Sequence, residues 1–231
     1  MKHVILHILC EGQTEERFVK EVLAPYLCRY GIFPKPILLL TSRKQNSRGG
    51  MISFVQAKRD MEILMRQYKD KGIEKHLFTT MFDYYALPDD FPGKSETASI
   101  SDHLRCVEIL ERDFAAVFGN DRILPYIQLH EFEALLFTDI TKLIGEYPEA
   151  AKDIVILQKE TERYGSPEDI NDRPETAPSK RIIKTLEHFY HYNKVKSGAT
   201  VANAIGLPAI MARCCHFRGW VERIISLAET L

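Results

Sequence analysis

A nearly unbroken apolar run, Val4 to Cys10 (VILHILC), stops at Glu11-Gly12 and hands over to a helical pattern. A run without polar alternation reads as a strand covered on both faces, which calls for a parallel sheet between layers of helices. Thr14 is the expected N-cap of the helix that comes next, and Glu15 and Glu16 fall in its first turn, where the helix dipole favours acids. Phe18, Val19, Val22, Leu23, Tyr26 and Leu27 then recur at helical spacing, and Gly31 closes the segment. The same handover is read three more times. A short strand from Ile37 to Thr41 precedes a helix over about 52–71. His76 to Phe82, ending at Asp83, precedes a helix from about Ile100 to Val117. Ile123 to Leu129 leads into His130-Glu131-Phe132-Glu133 and an apolar turn, Ala134 to Phe137.

Four such alternations predict an α/β, Rossmann-like fold: a mainly parallel sheet of about four strands flanked by helices. From residue 139 onward the patterns are helical and no strand is convincing. The expected organisation is an α/β domain over 1–138 with a mostly helical C-terminal extension over 139–231, packed together as one compact unit.

With 231 residues, 45% of them hydrophobic and 27% charged, the chain has the material for a full core. No apolar run approaches the roughly 18 residues of a membrane span, and Met1-Lys2 leads straight into a strand, so neither anchor nor signal peptide is expected. Five cysteines, an odd number set in apolar patterns, suit reduced thiols in a cytoplasmic protein. A net charge of −1 excludes a general polyanion binder. The distribution is less even: residues 35–75 carry ten Lys/Arg against four acids, while acids gather at 83–90 and 146–175. A basic face beside an acidic edge suits a metal-dependent enzyme acting on a phosphodiester.

Three expected strands end in carboxylates: Glu11, Asp83, and the pair Glu131 and Glu133. In a parallel sheet these ends share one edge. Gathered carboxylates repel one another, and a hard cation such as Mg²⁺ or Mn²⁺ relieves the repulsion. Glu15, four residues after Glu11, faces the same edge or simply complements the helix dipole. Gly93-Lys94-Ser95 lacks the strand and first glycine of a phosphate-binding loop and is read as loop. Arg43, Lys44 and Arg48 are candidates for gripping a nucleic-acid backbone, against a solvated loop as the plainer reading. Ser179-Lys180-Arg181, at a helix start, offers N–H groups and two cations to a phosphate, or forms a clasp onto the sheet. His130 is a proton shuttle or a structural histidine, and Tyr84 and Tyr85 stack on a base or cap the core.

CEGQTEERF resembles the E-G-x-x-[DE] signature that opens a Toprim domain, the metal-binding module of topoisomerases, primases and overcoming-lysogenization-defect nucleases. More closely, the chain resembles a bacterial family defined by domain of unknown function 4276. CEGQTEERFVKEVL, TTMFDYYALPDDFPG, PYIQLHEFEALLFTD, SPEDINDRPETAPSKRI and ARCCHFRGWVER carry that likeness over nearly the whole chain. The Toprim resemblance implies that Glu11 is the general acid/base or metal ligand and that Asp83 is the first aspartate of a D-x-D metal motif. The second aspartate falls on Tyr85, a departure, with Asp89, Asp90 or Glu133 as candidates to supply the missing oxygen. Together with the residue reading this leads to a Mg²⁺- or Mn²⁺-dependent nuclease as the expected activity, with Glu11, Asp83 and Glu131 in catalysis and Glu11, Asp83, Glu133 and Glu15 around the metal. Arg43, Lys44, Arg48, Lys180 and Arg181 would hold the phosphate backbone. The same likeness implies a partner ATPase and a role in phage defence. A non-catalytic module that docks on an ATPase or nucleic acid, and a phosphatase or nucleotide hydrolase, are the alternatives.

Overall fold

The computed structural model describes residues 3–39, 53–170 and 176–231. A parallel sheet runs through its centre in the order β2-β1-β3-β4, with β5 also on β3. Its strands are β1 (His3–Cys10), β2 (Ile32–Leu38), β3 (Glu74–Asp83), β4 (Ile123–Leu124) and β5 (Ile127–Gln128). The principal helices are α1 (residues 13–27, with a π-type turn at Val19–Leu23), α2 (Phe54–Gln67), α3 (His103–Phe118), α4 (Ala151–Thr161), α5 (Pro178–Leu186), α6 (Lys194–Ile205), α7 (Leu207–Arg213) and α8 (Cys215–Thr230). This is the α/β architecture expected, with one strand more and a helical C-terminal part.

The sheet divides the core in two. Val4, Leu6, Ile8 and Cys10 of β1 join Leu77 and Met81 of β3 in one cluster, packed with α1 and the C-terminal helices. Leu9, Phe78 and Phe82 face the other way into a cluster with α2 and α3. The period-two alternation of a strand thus serves two apolar layers, which is why β1 shows so little polar alternation.

Two strands depart from expectation for reasons visible in the sequence. β2 lies at Ile32–Leu38 rather than Ile37 to Thr41 because Pro34 and Pro36 masked it. β2 is an edge strand, and the N–H of Leu39 donates to Cys10 O (3.0 Å) while Val4 N–H donates to Gly31 O (3.2 Å). Odd-numbered residues therefore face β1, both prolines point their nitrogens outward, and no ladder hydrogen bond is lost. The fourth strand breaks into β4 and β5 at Pro125-Tyr126. Thr80 bridges the gap: its hydroxyl donates to Tyr126 O (2.8 Å) and accepts from Tyr126 N–H (2.9 Å). Thr79 likewise donates to Leu124 O.

The cap of α1 is also corrected. Gly12, not Thr14, is its N-cap, and Thr14 is buried within the first turn. α6 crosses α1 closely because Gly198 has no side chain: a Cβ there would meet Phe132 Cε1 at 3.0 Å and Thr14 Cγ2 at 3.2 Å. Gly198→Ala is expected to cost about 1–3 kcal/mol through overpacking, read as a lower urea midpoint with an unchanged slope.

Candidate functional site: an acidic edge with a lysine inside it

β1 and β3 are neighbours in register, Cys10 opposite Met81, so the residues just beyond bring Glu11 and Asp83 together. Asp83 N–H donates to Glu11 Oε2 at 3.1 Å. Asp83 Oδ1 in turn accepts from Phe132 N–H at 3.0 Å, tying β3 to the segment after β5. That segment is aimed by a sharp turn at His130, whose φ is +66°. Among the described residues no other non-glycine has a positive φ, a conformation that costs energy for a residue bearing a Cβ. His130 Nε2 donates to Glu168 O (2.8 Å), leaving Nδ1 to accept from Tyr85 Oη (2.8 Å). Burial, with His103 nearby, lowers its pKa to about 4. A neutral imidazole held at both nitrogens is a structural post, so the shuttle reading of His130 gives way to the structural one. Tyr85, in the second aspartate slot, is part of that post.

Beyond the turn, Glu131 accepts from Ser179 N–H and from Ser179 Oγ (2.9 Å), capping α5. The α5 N-terminus is thus already engaged by a carboxylate from this chain. Arg181 donates to Thr176 O (2.8 Å) and to Tyr164 Oη (3.2 Å), while Lys180 is exposed. Ser179 and Arg181 are thus held by hydrogen bonds within this chain. Arg43, Lys44 and Arg48 lie outside the described residues. Asp90 accepts from Phe54 N–H (2.9 Å) at the start of α2.

Glu15 is buried at the first turn of α1 and accepts from Gly12 N–H (2.8 Å). Glu133 is buried too, at 1% exposure. What balances this charge is Lys194, the first residue of α6, whose Nζ lies 3.3 Å from Glu133 and 3.5 Å from Glu131 Oε2. Nothing in the sequence singles Lys194 out. It sits about sixty residues after the acids, in a helix whose pattern says only that one face is buried.

Acidity records the crowding. Burial, then Glu11, raise the Glu15 pKa to about 7 against hydrogen bonds and Lys194. Burial raises Glu133 to about 7, with Lys194 opposing and Glu131 and Glu15 adding to the rise. Asp83 is held well above the usual carboxylate range by burial, then by Glu15, Glu11, Glu133 and Glu131. Five carboxylates therefore form one electrostatically linked group.

A raised acid pKa favours the protonated fold. That stability is fully present below the ordinary value and is lost as pH rises through about 7 for Glu133. Glu133→Gln, neutral at every pH, is expected to melt higher than wild type at pH 8, by about 2 kcal/mol, with the difference vanishing near pH 4. Paired melts at the two pH values check the sign.

The carboxylate oxygens are of the type that a hard divalent cation takes. All five groups are hard carboxylates, and the buried Glu133 Oε1 and Tyr192 Oη have no hydrogen-bond partner among the described residues. As they stand, no three such groups among the described residues close on one point. No described helix is long and apolar enough to cross a membrane.

No curated protein and no solved structure matches the chain. A family model described as "Domain of unknown function (DUF4276)" matches residues 10–225, from the last residue of β1 into α8 and across every carboxylate of the acidic edge. The chain belongs to the DUF4276 family.

Proposed function

We propose that this protein is a Mg²⁺- or Mn²⁺-dependent, Toprim-like phosphodiesterase, a nuclease whose reactive centre is the acidic edge. The observation that carries the reading is the pairing of Glu11 and Asp83 at neighbouring strand ends, joined through Asp83 N–H at 3.1 Å and surrounded by three further carboxylates. Glu11 and Asp83 would hold the ion, and Glu133 would add an oxygen in place of the missing second aspartate. The bound ion would activate water and offset charge on the scissile phosphate. The chain's own contribution is to hold these oxygens: Phe132 N–H fixes the Asp83 carboxyl, Gly12 N–H fixes Glu15, and Ser179 keeps Glu131 back as a clamp. The basic segment with Arg43, Lys44 and Arg48, together with Lys180, would hold the substrate backbone. A partner ATPase in a phage-defence setting belongs to the same proposal.

A second reading is a non-catalytic module that docks on an ATPase or nucleic acid. Lys194 favours it, since an ammonium already neutralises the pair Glu131 and Glu133. Plasmid nicking and RNA cleavage by wild type and Glu11→Ala, with Mn²⁺ or EDTA, separate the two. The nuclease reading expects Mn²⁺-dependent cleavage by wild type that EDTA and Glu11→Ala abolish. Clean wild-type protein without metal-dependent turnover on either substrate leaves the docking module.

A further inference from the structure

We propose that His7 and His76 form an acid-sensitive latch, which holds the end of α2 and the turn after it against the sheet at neutral pH and releases them in mild acid. The two imidazoles meet between neighbouring strands, His7 on β1 and His76 on β3, with His7 Nε2 3.0 Å from His76 Nδ1. Both are buried, at 3% and 2% exposure. One nitrogen of that contact must donate and the other accept, so the bond exists only while one of the two carries no proton there. A second proton on the pair turns two N–H groups on each other and sets two cations side by side out of water.

The surroundings decide which ring stays neutral. Glu74 Oε1 lies 3.2 Å from His76 Nε2, so a single proton on the pair is best placed on His76, between Glu74 and His7. Among the described residues no carboxylate pairs with His7. It faces Lys35 across the β1–β2 pair and is sandwiched by the rings of Tyr68 (4.2 Å) and Phe78 (5.1 Å). Burial, then His76, then Lys35 lower the His7 pKa to about 4. The segment after α2 rests on the same pair. Tyr68 stacks on His7, and Asp70 Oδ1 accepts His76 N–H (3.0 Å) while pairing with Arg122 (3.1 Å). Asp70 Oδ2 lies 3.7 Å from Lys75, and Lys71 exchanges backbone hydrogen bonds with Glu74.

A lowered histidine pKa means that the fold excludes a proton which the unfolded chain takes up below 6.5. The stability is complete above that value and is lost progressively as pH falls toward about 4. Between pH 7 and pH 5 these two values weaken the latched state about twentyfold.

The test is hydrogen exchange read by mass spectrometry on the full chain at pH 7 and pH 5, corrected for the intrinsic rate, comparing wild type with His7→Gln. The glutamine does not titrate and keeps an amide that can bond to His76. Wild type is expected to lose about twentyfold in protection between the two pH values over residues 68–78, with α8 changing far less, and the variant is expected to lose little. If His7→Gln does not fold, His7→Phe, which keeps the stack on Tyr68 and Phe78 and takes no proton, replaces it. Equal loss of protection in wild type and variant overturns the latch, and so does a loss spread evenly over the whole chain.

Discussion

On the proposed nuclease reading, Asp83→Asn is expected to reduce Mn²⁺-dependent phosphodiester cleavage on the order of 10³-fold, about 4 kcal/mol of transition-state stabilisation, without loss of the fold. The amide retains an oxygen to accept the Phe132 N–H that Asp83 Oδ1 accepts at 3.0 Å, and the backbone N–H to Glu11 is untouched. What disappears is the negative charge. Because burial and then four neighbouring carboxylates already hold the Asp83 carboxyl toward its neutral form, a neutral isostere should relieve repulsion in the metal-free protein. The variant should therefore be inactive and at least as stable as wild type, a combination that general misfolding does not produce. Single-turnover cleavage and a thermal melt on the same preparation measure both. Activity within about threefold of wild type would remove Asp83 from the site.

Trp220→Ala is expected to carry the largest stability loss, about 3–5 kcal/mol. Trp220 is fully buried, stacks on Tyr126 with ring centroids 4.3 Å apart, and donates its Nε1–H to Thr79 Oγ1 at 2.9 Å. It thereby fastens α8 to the point where the fourth strand breaks and threonine hydroxyls stand in for the ladder. Removing the indole opens a cavity between sheet and C-terminal helices and deprives Thr79 of a donor. Urea unfolding gives the loss, and Trp220→Phe, which keeps a ring but not the N–H, separates packing from hydrogen bonding.

The sheet was legible where the sequence was simple. β1 and β3 are largely apolar strands with an acid at or just past their C-terminal ends, and parallel pairing alone places Glu11 beside Asp83. Local chemistry misled where a residue has two roles. Pro34 and Pro36 argue against a strand until the edge position, unreadable from one segment, makes them harmless. Thr14 has the side chain of an N-cap, yet Gly12 takes that position, with its N–H donating to Glu15. In the site the acids were visible and their counter-charge was not. Lys194 and Tyr192 arrive through the packing of α6 on α1, which depends on Gly198 being small, a tertiary fact without a local signal. Glu131 has the residue type and position of a catalytic acid, but both its oxygens face Ser179 at the start of α5.

A divalent ion shared by Glu11 and Asp83 is the centre on which the proposed chemistry depends. Anomalous diffraction at the manganese edge, from crystals of the full chain grown with Mn²⁺, tests it most directly. The predicted result is a peak bound by oxygens of Glu11 and Asp83. Well-ordered carboxylates with no peak among them would contradict it.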